Sequence, residues 1–225
     1  MSAPISVVIP TLNSADNLPA TLLSLMEGLE AGLICEVVVT DGGSTDASGS
    51  IALDWGAEVI TGAASRGGQL RRGVAVTRGA WIMVLHADTI LQEGWAEQVK
   101  AHMQQGPLCF SLAFRARGLA ARWVAAWANL RSDVFGLPFG DQGLLLRRVE
   151  YDRAGGYPDQ PLMEDVALVR AIKQKIRRLP ACAFTAADKY QQQGWFRRGA
   201  KNIGLLLQYF LGADAKDLAR RYHKI

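Results

Sequence analysis

The sequence predicts an α/β fold in which a mostly parallel sheet is flanked by helices, with a helical C-terminal tail. Short β-branched runs alternate with segments of helical periodicity through the first half of the chain, and each run is followed at once by polar residues. Such alternation is typical of parallel sheets that helices cover on both faces. With 225 residues, of which 49% are hydrophobic, the chain is expected to form one domain around one core.

Four buried strands are predicted in the first half of the chain. They correspond to the short apolar runs 5–10, 35–40, 58–60 and 81–85, which are rich in β-branched residues. Pro10 is expected to end the first strand, because proline lacks the backbone N–H that a sheet uses.

Helices are predicted between these strands. Four leucines at helical spacing predict that one face of the first helix is buried: Leu18, Leu22, Leu25 and Leu29. The loop 41–46 offers Ser, Thr and Asp side chains that can cap a second helix. Leu70 and Val74 share a face of a third helix over 69–78, which Gly79 ends.

The net charge of +4 is unevenly distributed along the chain. Residues 1–110 contain 5 Lys and Arg against 11 Asp and Glu, a net charge of −6, whereas residues 111–225 contain 20 against 10, a net charge of +10. A basic half indicates an anionic partner, such as a phosphate, an acidic substrate or a membrane surface, or else a solvated basic face.

Several classes of protein are excluded by composition. No apolar run approaches the roughly 18 residues of a membrane span. The N-terminus lacks the basic residues of a signal peptide, and three widely spaced cysteines do not form a disulfide framework or a thiolate zinc site. We therefore expect a protein of the reducing cytoplasm, with peripheral contact at the inner face of the membrane as an alternative.

Polar residues follow each predicted strand, at the edge where parallel sheets bind ligands. Neither G-x-G-x-x-G nor a P-loop is present, so a phosphate would need a metal ion and arginines to balance its charge. Asp88 offers a hard oxygen to Mg²⁺ or Mn²⁺, and His86 presents a nitrogen on the same side of an extended chain.

The order of motifs resembles glycosyltransferase family 2, and in particular its small soluble bacterial branch with DGGSTD and HADT motifs. The motifs are SVVIPTLN at 6–13, VVTDGGSTD at 38–46, HAD at 86–88, GDQG at 140–143 and MED at 163–165. The resemblance implies a GT-A-like fold and inverting transfer of a sugar from a nucleotide-diphosphate-sugar donor, with a divalent cation, Mn²⁺ or Mg²⁺, as cofactor.

The resemblance also implies roles for individual residues. Asp88 is the expected metal ligand. The expected donor nucleotide-binding residues are Thr11, Asn13, Asp41, Gly42, Arg66 and His86. Of the acidic pair, Asp165 is the expected base and Glu164 its support. Residues alone allow another interpretation of the pair, since acids in a first helical turn complement the helix dipole.

A second group of candidates is expected on the acceptor or phosphate side: Asp141, Gln142, Trp195 and Arg198. Trp195 could equally belong to the core, and Arg198 to a solvated face. The segment 115–131 has the pattern of an amphipathic helix at a membrane interface, or of a core helix with one wet face, and we expect the second.

The predicted protein is thus a single glycosyltransferase domain over 1–225. It comprises a nucleotide-binding half at 1–110, an acceptor-side half at 111–195 and C-terminal helices at 196–225. Its acceptor is unknown, with anionic and lipid-linked molecules as candidates, and no nucleic-acid partner is expected. The alternatives are a nucleotide-sugar-binding module without turnover and a sugar-phosphate nucleotidyltransferase, although residues 11–17 lack the glycine-rich basic loop of the latter.

Overall fold

The computed structural model describes residues 3–223, so residues 1, 2, 224 and 225 of the expected domain lie outside the described residues. The strands are β1 (Ile5–Thr11), β2 (Ile34–Asp41), β3 (Glu58–Thr61), β4 (Trp81–Val84), β5 (Thr89–Leu91), β6 (Leu108–Phe114), β7 (Leu144–Arg147) and β8 (Arg177–Thr185). The helices are α1 (Leu18–Glu30), α2 (Ser48–Asp54), α3 (Arg66–Val76), α4 (Trp95–His102), α5 (Leu119–Phe135), α6 (Arg148–Arg153), α7 (Glu164–Ala171), α8 (Asp188–Gln193), α9 (Trp195–Phe210) and α10 (Ala215–His223). Short 3-10 turns cover Met103–Gln105 and Gly140–Gln142.

The strands form one mixed sheet in the order β3-β2-β1-β4-β7-β6-β8-β5. The first four strands along the chain are parallel to one another, and β6 is parallel to β8. The pairs β4–β7, β6–β7 and β5–β8 are antiparallel. The predicted fold class, a mostly parallel sheet flanked by helices with a helical C-terminus, is confirmed.

Pro10 does not end the first strand, which continues to Thr11. On one side of Pro10, the paired residue is Thr40 of β2. On the other side β4 pairs with β1 only as far as Val8, opposite Val84, so β1 has a single neighbour at the proline. A proline is tolerated in a strand where its missing N–H faces no ladder partner.

The first helix buries three of its four spaced leucines, but Leu29 is exposed at the last turn. The third helix begins three residues earlier than predicted, because the side chain of Ser65 caps it by accepting from the N–H of Gly68. Leu70 and Val74 are buried against the sheet as predicted.

The fifth helix, α5, differs most from the expectation that it is a core helix with one wet face. Its buried face consists mainly of small residues, namely Ala121, Val124, Ala125, Ala128 and Ser132. Its large apolar side chains, Leu119, Trp123, Trp127 and Leu130, are exposed. No described helix is both long enough and apolar enough to cross a membrane.

Gly73 brings α3 close to the sheet. A Cβ atom at this position would lie 2.5 Å from Cγ1 of Val8 and 2.7 Å from Cγ2 of Thr40. Both neighbours are buried on adjacent central strands, so neither side chain has free space to move into. This contact sets how near α3 comes to β1 and β2.

We expect Gly73→Ala to lower the free energy of unfolding by about 1–3 kcal/mol, because the added methyl overpacks the helix–sheet contact. The matched control is Gly49→Ala in α2, where an added Cβ meets no atom within 4 Å. That substitution should leave stability unchanged or raise it by up to about 1 kcal/mol, because alanine favours a helix. Urea unfolding measures both, and equal stability of the two variants would contradict the packing argument.

Glu36 connects β2 with β1 and with the turn before β4. Its carboxylate accepts hydrogen bonds from Ser6 Oγ at 2.6 Å, from the backbone N–H of Arg78 at 2.5 Å and from Arg78 Nε at 3.0 Å. Burial raises the pKa of Glu36, but these hydrogen bonds outweigh it, and the pKa lies below its ordinary value.

A carboxyl group whose pKa is lowered by folding stabilises the folded state above its unfolded pKa and loses this effect as the pH falls through its folded pKa. We therefore expect Glu36→Gln to cost about 1–3 kcal/mol at pH 7. The difference from the unmodified protein should shrink as the pH falls below about 4.5. The exposed Glu58→Gln serves as the control in pH-dependent urea unfolding, and a Glu36→Gln cost that did not change with pH would contradict this account.

Candidate active site

The polar residues that follow β1, β2 and β4 gather at one edge of the sheet, because the carboxyl ends of parallel strands point the same way. The N–H of Gly42, after β2, donates to the carbonyl of Thr11, at the end of β1, at 2.9 Å. The residues after β4 are held by α1, whose Thr21 hydroxyl donates to the carbonyl of Ala87 at 2.9 Å.

Asp41 organises the loop that follows β2. Its carboxylate accepts from the backbone N–H groups of Gly43 at 2.9 Å and Ser44 at 2.8 Å, from the Ser44 hydroxyl and from Thr11 Oγ1 at 3.3 Å. Burial raises the pKa of Asp41, but the hydrogen bonds from Ser44, Gly43 and Thr11 outweigh it, so the pKa is lowered. The carboxylate is therefore charged at neutral pH and holds the loop in shape.

Asn13 fastens the loop after β1 to the loop after β2. Its Oδ1 accepts from the N–H of Thr45 at 2.9 Å, and its own N–H donates to Ser44 Oγ at 2.8 Å. The backbone of Asn13 has φ = 50°, a conformation that asparagine tolerates better than most residues.

Gln69 of α3 completes this first group. Its Nε2 donates to the carbonyls of Thr11 and Thr40, each at 2.8 Å, and its amide packs against Gly42. The sequence analysis did not identify Gln69, because nothing in its local sequence distinguishes it.

Arg66 links α3 to both the strand end at His86 and the start of α7. Its Nε lies 3.2 Å from Oε1 of Glu164, whose side chain is only 3% exposed, whereas the Arg66 side chain is 38% exposed. Its terminal nitrogen contacts both ring nitrogens of His86, at 3.1 Å from Nδ1. Arginine can only donate, so the imidazole accepts and is neutral.

The surroundings shift the pKa values of both partners of Arg66. Burial, followed by the charges of Arg66 and Lys189, holds the pKa of His86 well below its ordinary value. Burial raises the pKa of Glu164 to about 7, the charge of Arg66 opposes this, and the neighbouring Asp165 adds to it.

Asp165 lies beside Gly140. Its Oδ2 accepts from the N–H of Gly140 at 2.7 Å and its Oδ1 from the N–H of Val166 at 2.7 Å. A Cβ atom at Gly140 would lie 2.5 Å from Nε2 of His86 and 3.5 Å from Oδ2 of Asp165. Gly140 therefore lets the 140–142 turn come between the strand end at His86 and the start of α7.

Asp141 is partly buried in the same turn. Burial raises its pKa to about 6, the charge of Arg131 opposes this, and that of Asp165 adds to it. Its Oδ1 is buried and has no hydrogen-bond partner among the described residues. A buried carboxylate oxygen of this kind is costly unless a ligand or water satisfies it.

Gln142 holds the turn in place and is fully buried. Its Oε1 accepts from Ser132 Oγ at 2.7 Å and from Arg131 at 3.3 Å, and its Nε2 donates to the carbonyl of Phe110 at 3.3 Å. These contacts give Gln142 a supporting position and leave its side chain no exposed surface for an acceptor. Arg131, which the sequence analysis missed, also stacks its guanidinium 3.4 Å above the ring of Phe139.

Trp195 and Arg198 lie in the C-terminal helices. Trp195 stacks on Tyr190 with ring centres 5.2 Å apart and meets the edge of Phe114 at 5.0 Å, so its surroundings are those of a core aromatic. Arg198 is buried and donates to Gln193 at 2.6 Å and to the hydroxyl of Tyr222. The solvated face that the sequence allowed for Arg198 is therefore wrong.

Tyr190 was also missed, because nothing in its local sequence distinguishes it. Burial raises its pKa to about 12, with the charge of Asp141 adding to the shift and that of Arg198 opposing it. The charges of Asp141, in the 140–142 turn, and of Arg198, on α9, therefore both act on the hydroxyl of Tyr190.

A small open cavity lies against Asp165. Its other walls are apolar side chains and backbone, from Val84, Pro138, Phe139, Gly140, Leu144, Tyr157 and Val169. Asp165 is the one charged side chain in this lining.

Asp88 is partly exposed after β4, and its charge acts on both Arg66 and Asp141. The described residues contain no group of three or more His, Cys, Asp or Glu side chains that could enclose a metal ion. Mg²⁺ is, however, usually held by one or two carboxylates together with substrate phosphates and water. Asp88 and the unpartnered oxygen of Asp141 fit that second kind of site.

The fold and sequence were compared with known proteins. The family described as glycosyl transferase family 2 matches residues 6–152. No curated protein matches the sequence significantly. Among solved structures, glucosyl-3-phosphoglycerate synthase from Mycobacterium tuberculosis, in complex with Mn²⁺, UDP and glucosyl-3-phosphoglycerate, is similar with a TM-score of 0.57 and 20% identity, over 81% of this chain and 71% of that one.

A second solved structure, S. aureus TarS, is similar with a TM-score of 0.63 and 15% identity, over 95% of this chain and 66% of that one. At such identities the structural likeness establishes the GT-A-like fold, and the family match covers well over half of the chain. The motif order, the sheet and the edge that carries the polar residues agree with this match. The chain belongs to glycosyltransferase family 2.

Proposed function

We propose that this glycosyltransferase is an inverting enzyme that moves a sugar from a nucleotide-diphosphate-sugar donor to an acceptor hydroxyl, with Asp165 as the base. The observation that carries the proposal is that the cavity beside the strand end at His86 has a single charged wall residue, Asp165. Inversion in one step requires one base, which takes the acceptor proton as the acceptor oxygen attacks the anomeric carbon.

Within the acidic pair, the contacts favour Asp165 over Glu164 as the base. Glu164 is buried and paired with Arg66, so its carboxylate is turned away from the cavity and towards α3. The two backbone N–H bonds to Asp165 orient its carboxylate while each oxygen keeps a further lone pair. We propose that Glu164 has a supporting role, because its ion pair holds the Arg66 side chain in position beside His86.

On the donor side, we propose that the loops after β1 and β2 hold the nucleoside and that Arg66 meets the diphosphate. Asn13 and Asp41 shape these loops, and Thr11 and Gly42 line their junction. The Arg66 side chain is partly exposed beside His86, and guanidinium groups suit phosphate oxygens. The mycobacterial structure similar to this chain holds UDP, which supports a nucleoside diphosphate as the ligand.

A divalent cation, Mn²⁺ or Mg²⁺, is the proposed cofactor, with Asp88 as its ligand and Asp141 as a second candidate. When bound, it would supply positive charge to the departing diphosphate. The mycobacterial synthase has been crystallised with UDP and either metal. With fewer than three protein ligands among the described residues, we expect the chain to hold the cation well only together with the diphosphate.

The acceptor side is proposed to include Asp141, with Gln142, Trp195 and Arg198 as supports behind it. The mycobacterial neighbour was crystallised with phosphoglyceric acid, and the basic second half of this chain likewise suits an anionic acceptor, with a lipid-linked one as the alternative.

We also propose a cytoplasmic location for the protein. Its functional division is proposed to be a nucleotide-binding half at 1–110, an acceptor-side half at 111–195 and C-terminal helices at 196–225.

Metal dependence of donor binding tests the cofactor assignment. We expect isothermal titration calorimetry with UDP to show much tighter binding in Mn²⁺ than in a chelator. UDP at 100 times its Kd in Mn²⁺ should add roughly 2.7 kcal/mol to the free energy of unfolding. Asp88→Asn should remove the effect of the metal, whereas the exposed Asp54→Asn in α2 should not. Equal UDP affinity in Mn²⁺ and in chelator would contradict the proposal.

The base assignment is tested by Asp165→Asn. We expect transfer, measured as release of the nucleoside diphosphate from sugar donors in the presence of Mn²⁺, to fall by about 10²–10⁴-fold, mostly in kcat. UDP affinity should be retained, because the proposed donor residues lie in the loops after β1, β2 and β4 and on α3, and not on α7. Glu164→Gln should cost less.

The stability of the Asp165→Asn variant has to be considered when its turnover is measured. The amide introduced by Asp165→Asn would turn a donor towards one of the N–H groups from which Asp165 now accepts, so a stability loss on the order of 1–3 kcal/mol is expected, and assays should run well below the unfolding midpoint. Near-normal turnover in Asp165→Asn with none in Glu164→Gln would reverse the assignment. UDP binding without any turnover in the unmodified protein would indicate a binding module instead.

A further inference from the structure

Two neighbouring helices turn their most apolar faces to solvent. On α5 the outward positions recur every three or four residues and are Leu119, Trp123, Ala126, Trp127, Leu130 and Val134. On α9 they are Phe196, Ala200, Ile203, Leu207 and Phe210. Surface helices of globular proteins normally show the opposite arrangement, with the apolar stripe towards the core.

The inner faces of the two helices differ. On α5 the face against the sheet is built largely from alanines, whereas the buried positions of α9 are Arg198, Leu205 and Leu206, so α9 is apolar on both faces. Meanwhile the side chain of Trp123 is 58% exposed and that of Phe196 is 63% exposed. On α5 the larger apolar side chains therefore face solvent and the smaller ones face the sheet.

The two stripes form one surface. The helices pack against each other, and the rings of Trp123 and Phe196 meet with centres 5.5 Å apart. We call the outward residues of the two stripes together the α5–α9 face. Large contiguous apolar patches on a protein surface mark an interaction site.

The charges around the α5–α9 face are of one sign where the stripes meet. Arg115, Arg117 and Arg122 lie before and within the first turns of α5, and Arg197 follows Phe196 on α9, all of them exposed. The sequence has no Asp or Glu between Glu97 and Asp133, and none between Asp188 and Asp214. The one acid on α5, Asp133, is paired with Arg178 at 2.7 Å.

We propose that the α5–α9 face docks on the surface of an anionic lipid bilayer. Tryptophan and phenylalanine together with arginine are typical of helices that lie in a membrane interface, where the rings enter the headgroup region and the guanidinium groups meet lipid phosphates. Pairing of the face with a second copy of the chain would bring like charges together, which disfavours that occupant. The inference is independent of the proposed chemistry, since it concerns residues outside the candidate active site.

Vesicle flotation with the full chain tests this proposal. We expect binding to vesicles of phosphatidylcholine with phosphatidylglycerol at low salt, and much weaker binding to phosphatidylcholine alone or at high salt. Trp123→Gln and Phe196→Gln should each weaken partitioning about tenfold or more. The control Leu53→Gln, at an apolar position of α2 that is 61% exposed, should leave it unchanged.

The charge contribution is tested separately. Arg122→Gln and Arg197→Gln should each weaken partitioning about fivefold, whereas Lys100→Gln on α4 should have no effect. Quenching of tryptophan fluorescence by brominated lipid in the unmodified protein gives a measurement that needs no variant. The proposal is overturned if anionic vesicles do not bind the protein at low salt, or if Trp123→Gln binds as well as Leu53→Gln does. It is also overturned if sedimentation velocity shows a dimer that depends on Trp123 while vesicles remain unbound.

Discussion

The ion pair between Arg66 and Glu164 is the interaction on which the geometry of the candidate active site depends. It joins the first residues of α3 and α7, which lie far apart in the chain, and its carboxylate is almost completely buried. Removal of one partner would leave the other charge without compensation, at a cost that is large for a buried group. The same guanidinium fixes the imidazole of His86, so one side chain aligns a strand end and two helix starts.

A second network, centred on the amide of Gln142, holds the turn beside the cavity. Gln142 ties the turn that carries Gly140 and Asp141 to α5 and to β6, through Ser132 and the carbonyl of Phe110. The cavity wall is therefore held from two directions, by an ion pair and by amide hydrogen bonds. Of the two, the amide network is insensitive to pH, because none of its members titrates near neutrality.

The first half of the fold was predictable from the sequence because β1 to β4 are short apolar runs that alternate with helical segments. No strand was predicted in the second half, where β6, β7 and β8 contain almost no β-branched residues. What the sequence did not yield depends on distant contacts. Pro10 stays in its strand since β4 has already ended beside it, and the inward face of α5 is alanine because the sheet comes close there. The strand-end residues were predictable from motif order, whereas Gln69, Arg131 and Tyr190 carry no local signal. Gln69 acts through the carbonyls of Thr11 and Thr40, which are far away in the chain.

The strand order also determines how charge is distributed over the folded molecule. The sheet places four strands of the acidic half together as β3-β2-β1-β4 and continues with β7, β6 and β8, which lie wholly or partly in the basic half, while the short β5 of the acidic half lies at the far edge. The opposite net charges along the chain thus become a separation of charge in space, which gives the folded protein an electric dipole moment. In the field of a charged object such a molecule experiences a torque before any contact, so it arrives already rotated, and the rate of productive encounter rises at low ionic strength.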